Sequence, residues 1–179
     1  MKKKNKLSIV MPVYNEKNLI IDVLKKVSNI SVKNCDIELI VVDDCSTDGT
    51  REILKKEGKK YADKVLYHKV NQGKGAALRT GFKEITGDVA IVQDADFEYD
   101  PDEIPSVVQP IFDGKADVVY GSRFLNGESK GYKQNQVANK ILTKLSNFMT
   151  GLKVTDMETC YKAFKADFIK NIDIKEKRF

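Results

Sequence analysis

Pairs of acidic residues follow short apolar runs at two places in the chain. Asp94 and Asp96 come after one β-branched run, and Asp43 and Asp44 come after another. Because side chains alternate along a strand that rises about 3.3 Å per residue, Asp94 and Asp96 share a face roughly 7 Å apart. Two carboxylates at that spacing can hold a hard divalent cation, or they can cap a following helix. Both interpretations stay open from this stretch alone.

Two basic residues stand at comparable places. Lys74 lies in the glycine-containing turn 71–76, and Arg123 follows the apolar run 117–120. Backbone N–H groups at a glycine-rich helix start form an anion site, to which Lys74 would add a charge. An ordinary glycine turn explains the same residues. The planar fork of Arg123 suits a diphosphate, and a salt bridge or a solvated position fits it equally.

Alternating strand and helix patterns must position these side chains, and they predict one α/β domain over residues 1–179. Strands that alternate with helices form a doubly wound, mostly parallel sheet with helices on both faces. The predicted strands are 7–11, 37–42, 65–70, 89–93 and 117–120. Ligands bind such sheets at the carboxyl ends of the strands. That edge therefore gathers the candidate residues Asp43, Asp44, Lys74, Asp94, Asp96 and Arg123.

The C-terminal third adds a polar segment, a helix and an acidic stretch. Residues 124–134 are polar and contain glycine, as expected of a mobile active-site flap. The helix 137–149 has an apolar stripe that core packing explains most simply. The stripe consists of Val137, Ile141, Leu142, Leu145 and Met149. Residues 155–164 indicate an edge strand, and the chain reads as truncated at Phe179, where no helix stop signal is present.

Composition excludes several classes of protein. The 179 residues are 41% hydrophobic and 32% charged, which suits one globular core. No apolar run approaches the ~20 residues that span a bilayer. Three cysteines without C-x-x-C spacing favour a reducing, cytoplasmic location. The net charge of +5 lacks the basic and aromatic interleaving of nucleic-acid binders. The basic residues 2–6 predict a solvated chain end, with a peripheral membrane contact as the alternative.

Six short motifs occur in order across nearly the whole chain. They are Met11-Pro-Val-Tyr-Asn-Glu16, Val41-Val-Asp-Asp44 with Ser46-Thr-Asp-Gly-Thr50, Asn71-Gln-Gly-Lys-Gly-Ala76, Asp94-Ala-Asp96, Gly121-Ser-Arg123 and Thr155-Asp-Met-Glu-Thr-Cys-Tyr161. Together they resemble an inverting family 2 glycosyltransferase of the A-type (GT-A) fold, on the branch of dolichyl- and polyprenyl-phosphate sugar synthases. The resemblance implies a GDP- or UDP-linked sugar donor, Mg²⁺ or Mn²⁺ as cofactor, and a lipid-phosphate or glycan acceptor at the cytoplasmic face of a membrane.

The resemblance also implies roles for individual residues. The implied donor-binding residues are Pro12, Tyr14, Glu16, Asp43, Asp44, Gly73, Lys74, Ala76, Asp94 and Ala95. Asp96 would bind the metal, with Glu98 offering a second oxygen where many relatives have Gln. Arg123 would hold the diphosphate or the acceptor phosphate, and it is counted with Asp94 and Asp156 among the implied catalytic residues. Asp156 would be the acceptor-side base, with Glu158 as its rival, although a lipid phosphate that is already anionic needs Asp156 only for orientation.

Three other classes of protein compete with this interpretation. A sugar-phosphate nucleotidyltransferase would carry a glycine-rich loop directly after the first strand, where this chain has residues 12–16. A phosphoacceptor receiver domain would carry its acidic pair after the first strand, not the second. A catalytically silent nucleotide-sugar-binding module of a membrane complex stays open, because fold does not dictate activity. Turnover of donor to free nucleoside diphosphate distinguishes that module from an enzyme.

Overall fold

The structure, a computed structural model, describes residues 4–124 and 133–177. In the second range, side chains are described from residue 136 onward. Six strands in this part of the chain form one sheet: β1 (Asn5–Val13), β2 (Cys35–Asp43), β3 (Lys64–Tyr67), β4 (Val89–Val92), β5 (Val118–Tyr120) and β6 (Lys162–Lys165). The helices are α1 (Ile20–Ser28), α2 (Thr50–Glu57), α3 (Lys74–Lys83), α4 (Ile104–Phe112), α5 (Lys133–Thr150) and α6 (Ala166–Asn171). Short 3₁₀ turns occupy Gly58–Lys60 and Pro101–Glu103.

The sheet has the strand order β3-β2-β1-β4-β6-β5. Strand β1 pairs in parallel with β2 and β4, and β2 pairs in parallel with β3. Only β6 runs against its neighbours β4 and β5. The predicted mostly parallel α/β sheet is therefore confirmed. The predicted edge position of the segment 155–164 was wrong, because β6 lies inside the sheet with Ala163 fully buried.

Both faces of the sheet are covered at its centre. The consecutive residues Ile9, Val10 and Met11 are completely buried, and consecutive strand residues point to opposite faces. On one face α3 packs against β1 and β2. A Cβ atom on Gly81 of α3 would lie 2.4 Å from Val10 Cγ1. The absence of a side chain at Gly81 therefore sets how closely this helix approaches the sheet.

The register of the strands brings three chain segments to the same edge of the sheet. Val13 pairs with Asp43, and Val10 pairs with Val92. The residues that follow β1, β2 and β4 therefore leave the sheet side by side at its carboxyl edge. At the opposite edge Lys4 pairs with Asp36 near the start of β2. Thus the described part of the basic N-terminus lies away from the candidate site.

Helix α5 does not pack as the sequence predicts. The apolar stripe predicted to face the core is exposed, whereas Asn139 and Thr143 on the opposite face are buried. Helical periodicity identifies residues that share a face, but it does not decide which face the fold covers. Most of the predicted flap, residues 125–132, lies outside the described residues. No helix in the described ranges is both long and apolar enough to cross a bilayer.

Candidate active site

A cavity of about 490 Å³ opens at the carboxyl edge of β1, β2 and β4. Its lining consists of Pro12, Val13, Tyr14, Glu16, Asp44, Asn71, Gly73, Lys74, Ala77, Asp94, Ala95 and Asp96. All the predicted donor residues except Asp43 and Ala76 are present, together with the predicted metal ligand Asp96. We call this space the first cavity. It gathers residues from the ends of three strands and from the start of α3.

The carboxylate of Asp44 organises the wall formed by residues 71–73. Its two oxygens accept the backbone N–H groups of Gln72 at 2.9 Å and Gly73 at 2.7 Å. His68 Nδ1 donates to the same carboxylate at 2.7 Å, and Thr80 lies 2.9 Å from His68 Nε2. The sequence motifs predict no role for His68. Its position directly after β3, at the same edge as the acids, was the available signal.

Asp43 lies behind the cavity and not in it. The side chain is completely buried, where Arg51 Nε donates to it at 2.6 Å and the backbone N–H of Ser46 donates at 3.2 Å. The Arg51 guanidinium also donates to the carbonyl of His68 at 2.5 Å. The Asp43 carboxylate therefore holds the loop after β2 against the segment after β3. In this arrangement its support of the cavity is indirect.

The start of α3 differs from the predicted anion site. The backbone N–H groups of Gly75 and Ala76 donate to the carbonyl of Lys177, at 3.0 and 3.3 Å. A Cβ atom on Gly75 would lie 2.4 Å from the carbonyl oxygen of Glu176. The C-terminal segment therefore crosses the helix start and uses the amides that an anion would need. Ala76 is buried beneath this crossing.

Lys74 and Asp94 form an ion pair, with Nζ and Oδ1 2.5 Å apart. The sequence around Asp94 contains no cation, so only the fold reveals this partner. Both side chains also line a second cavity of about 300 Å³. The charged residues around the second cavity are Lys74, Asp94, Glu98, Arg123, Glu158, Lys162 and Glu176. The ion pair therefore lies at the boundary between the two cavities.

Carboxylates are crowded in the first cavity. The pKa of Glu16 is raised, first by burial and then by the negative charges of Asp96, Asp48 and Asp94. Among the described residues no cluster of three or more metal-binding side chains is assembled. Protein-bound Mg²⁺ commonly uses one or two carboxylates together with substrate phosphates. The Asp94 and Asp96 carboxylates fit a cation of that kind.

Glu98 and Asp96 point to different neighbours. The backbone N–H of Glu98 donates to Asp96 Oδ1 at 3.0 Å, which closes a tight turn. The Glu98 side chain accepts a hydrogen bond from Arg123 at 3.2 Å and lines the second cavity. The structure therefore does not bring the two predicted metal ligands together in the first cavity.

Arg123 is held mainly by Asp156. Its Nε and Nη2 atoms donate to the two carboxylate oxygens at 2.8 and 3.0 Å, and Asn139 donates to Asp156 at 2.9 Å. Burial tends to raise the pKa of Asp156, but the hydrogen bonds from Arg123 and Asn139 outweigh it and lower that pKa. Asp156 is thus a buried carboxylate that orients Arg123, and Glu158 is the exposed acid beside the second cavity.

The sequence motifs do not predict the residues that support Asp156. Asn139 and Thr143 lie four residues apart on α5, and Thr143 Oγ1 donates to Asn139 Oδ1 at 3.0 Å. Thr143 Oγ1 in turn accepts the backbone N–H of Met157 at 3.2 Å. The spacing of these two polar residues, opposite the apolar stripe, was the signal for a buried polar face.

Comparison with known proteins matches the chain to the family model Glycosyl transferase family 2 over residues 8–173. The chain is 35% identical over 122 residues to a dolichol-phosphate mannosyltransferase of Pyrococcus furiosus, covering 68% of this chain and 34% of that protein. It is 31% identical over 182 residues to a UDP-N-acetylglucosamine--dolichyl-phosphate N-acetylglucosaminyltransferase of Methanococcus voltae, covering 90% of this chain and 70% of that protein. The chain thus spans about a third of the length of the mannosyltransferase.

A solved structure shares the fold. Glucosyl-3-phosphoglycerate synthase from Mycobacterium tuberculosis, in complex with Mn²⁺, UDP and glucosyl-3-phosphoglycerate, superposes with a TM-score of 0.66. The two chains are 25% identical, and the match covers 91% of this chain and 57% of the synthase. The mixed sheet with its antiparallel β6 is accordingly the GT-A fold of glycosyltransferases.

Proposed function

The chain belongs to glycosyl transferase family 2, and from this premise we propose that it transfers a sugar from a GDP- or UDP-linked donor to a polyprenyl phosphate. The observation that carries the proposal is the pair of cavities that meet at Lys74 and Asp94. The first cavity takes the nucleoside diphosphate and the second takes the acceptor phosphate. The names of the Pyrococcus and Methanococcus relatives support an acceptor of this class.

The arrangement suits a single displacement with inversion. An oxygen of the acceptor phosphate attacks the anomeric carbon from the second cavity. The bond from that carbon to the diphosphate breaks toward the first cavity, and its electron pair leaves with the nucleoside diphosphate. Because the acceptor oxygen is already anionic, no proton needs to be removed. Asp156 then acts through the orientation of Arg123, which binds the acceptor phosphate.

Charge on the departing diphosphate is balanced from two sides. Asp96, with Asp94 nearby, would hold a Mg²⁺ or Mn²⁺ ion, which when bound would supply Lewis-acid stabilisation. Lys74 adds a fixed ammonium group at the boundary of the cavities, where its pairing with Asp94 holds it in place. The complex of the Mycobacterium synthase with Mn²⁺ and UDP supports a divalent cation in this fold.

The first test is ligand-dependent thermal stability. Melting temperatures are measured with GDP or UDP, each with and without Mn²⁺ or Mg²⁺. A ligand at about 100 times its Kd adds roughly 2.7 kcal/mol to the free energy of unfolding. We expect one of the two nucleotides to raise the melting temperature when metal is present, and Asp96→Ala to remove that shift.

Asp102→Ala is the matched control, since Asp102 is an exposed acid outside the first cavity. It should retain the metal-dependent shift. If neither nucleotide stabilises the protein with any metal, the donor part of the proposal fails. If a nucleotide binds but incubation of its sugar conjugate with polyprenyl phosphate yields no free nucleoside diphosphate, the chain is a silent binding module.

A further inference from the structure

The carboxylate of Asp44 has one acceptor position left for a ligand. An ionised carboxylate offers about four lone-pair positions, two on each oxygen. His68 Nδ1 and the backbone N–H of Gln72 both donate to Oδ1, and the backbone N–H of Gly73 donates to Oδ2. Oδ1 is therefore saturated, and Oδ2 keeps a single position. Since Asp44 lines the first cavity, that position is the one offered to a molecule bound there.

His68 fixes the direction in which the remaining position points. The imidazole is buried, and its second nitrogen, Nε2, lies 2.9 Å from Thr80 Oγ1 on α3. In the tautomer that donates from Nδ1, Nε2 accepts from the Thr80 hydroxyl. The ring thus links the carboxylate of Asp44 to α3 through its two nitrogens. The carboxylate cannot turn both oxygens toward the cavity without breaking a hydrogen bond to His68 or to the backbone of 72–73.

Asp44 and the proposed metal ligand Asp96 lie at different ends of the first cavity. Asp44 directly follows β2, Asp96 follows β4, and β1 separates these two strands in the sheet. With neighbouring strands about 4.8 Å apart, β2 and β4 lie roughly 10 Å from each other. A nucleoside diphosphate whose phosphates lie at Asp96 therefore reaches Asp44 with its base.

The two candidate bases differ in how many donors they present to a carboxylate. Uracil presents one N–H group, at N3, between two carbonyl oxygens. Guanine presents two adjacent donors, N1–H and the N2 amino group, which need an acceptor position on each oxygen. Asp44 can satisfy the single donor of uracil, whereas one of the guanine donors would have no acceptor on this carboxylate. Asn71 also lines the cavity, and its amide can donate to a carbonyl oxygen of uracil.

We propose that His68 is a positioning residue for the donor base, fixing Asp44 so that the first cavity takes uracil in preference to guanine. The sugar donor of this chain is then UDP-linked. The inference rests on the proposed function for the presence of a nucleoside-diphosphate donor, and it narrows the two donor classes to one. His68 does not belong to the cavity lining, so it acts through the carboxylate of Asp44.

The test is isothermal titration calorimetry of the 179-residue chain with Mn²⁺ and three ligands, UDP, GDP and inorganic diphosphate. We expect UDP to bind at least about tenfold more tightly than GDP, because guanine leaves a buried donor unpaired. His68→Leu should weaken UDP binding by about tenfold and leave inorganic diphosphate binding unchanged, since only the base reaches Asp44. His68→Asn should restore UDP binding to within about threefold, because its amide N–H replaces Nδ1–H.

Ser8→Ala is the matched control, because Ser8 is a buried polar residue that donates to Glu38 at the opposite edge of the sheet. It should lower the melting temperature without changing UDP binding, which separates lost positioning from lost stability. Should His68→Leu fail to fold, Thr80→Val removes only the hydroxyl at Nε2 and should weaken UDP binding by about threefold.

GDP binding as tight as UDP binding would overturn the choice of uracil and leave the proposed transfer to polyprenyl phosphate intact. Unchanged UDP binding in His68→Leu, or in Thr80→Val if His68→Leu does not fold, would overturn the positioning role. Equal losses of UDP and inorganic diphosphate binding would also overturn it, since they indicate a general disturbance of the cavity. If neither nucleotide binds, the donor part of the proposed function fails, and this inference fails with it.

Discussion

At the scale of single residues, ion pairs formed across long stretches of sequence define the site. Lys74 and Asp94 come from α3 and from the end of β4, and they separate the two cavities. Arg123 and Asp156 are 33 positions apart and form a bidentate pair. In both pairs a carboxylate restricts a cation that faces a cavity. The cations are therefore positioned before any ligand binds.

The bidentate pair leads to a prediction for Asp156→Asn. The amide keeps the size of the side chain but offers Arg123 one neutral oxygen in place of a carboxylate. We expect the free energy of unfolding to fall by about 1–3 kcal/mol, since a buried hydrogen-bonded charge is lost. The kcat/KM for a polyprenyl-phosphate acceptor should fall at least about tenfold with loss of a charge-assisted contact, while nucleotide binding stays unchanged.

A pH profile distinguishes positioning from base catalysis at Asp156. If Asp156 only orients Arg123, Asp156→Asn lowers kcat/KM at every pH without moving the acidic limb of the profile. Loss of that limb would show that Asp156 removes a proton and would contradict the positioning role. Asp117→Asn, which alters an exposed pair with Lys165, should leave activity and stability unchanged.

At the scale of elements, the approach of α3 to the sheet sets the shape of the first cavity. Gly73, directly before the helix, has φ +92°, a conformation that favours glycine, and Gly81 meets β1 near its centre. The same helix places Lys74 and Ala77 on the cavity wall. Helix α3 thus sets both its own close packing against the sheet and the position of the Lys74 ammonium group.

Gly81→Ala tests this packing. The added methyl group would lie 2.4 Å from Val10 Cγ1, so helix and strand must separate. Overpacking costs about 1–3 kcal/mol, which exceeds the roughly 0.5–1 kcal/mol that alanine contributes to a helix. We therefore expect a lower midpoint of urea denaturation. Lys83→Ala, at the exposed end of the same helix, should shift the stability by less than about 0.5 kcal/mol. A more stable Gly81→Ala protein would contradict the close contact.

At the scale of the whole molecule, Glu38 joins segments that are distant in sequence. Its buried carboxylate accepts hydrogen bonds from Ser8 Oγ at 2.5 Å and from the N–H and hydroxyl of Thr86 at 2.6 and 2.7 Å, and Lys6 lies 3.0 Å away. Burial opposes ionisation, but these partners outweigh it and lower the pKa from 4.5 to about 2. The amino ends of β1 and β2 and the loop before β4 are held together at this point.

The lowered pKa of Glu38 predicts a specific loss of stability in acid. Since the folded-state pKa lies below the unfolded value, the contribution is complete above pH 4.5 and is lost as the pH falls toward about 2. Glu38→Gln should lower the melting temperature at neutral pH and flatten its decline across that range. Glu52→Gln, at an exposed position on α2, should keep the steep decline. An unchanged acid profile in Glu38→Gln would show that this cluster contributes nothing to acid stability.

Local sequence determined most of the first cavity. Strand-end motifs predicted Asp44, Asp94 and Asp96 at one edge, because parallel strands share a direction and each motif follows its strand directly. Tertiary structure decided the partners of these residues. Two ion pairs, Lys74–Asp94 and Arg123–Asp156, depend on which strands and helices are neighbours in the fold. A local sequence pattern does not contain that information.

Which face of α5 points inward was likewise decided only by the fold. Its sequence contains an apolar face and a polar face, and a packed core usually takes the apolar one. Here hydrogen bonds from Asn139, Thr143 and Asn147 to residues 154–157 turn the polar face inward. Amphipathicity is a property of the helix alone, whereas the choice between its faces depends on what the neighbouring segments can bond.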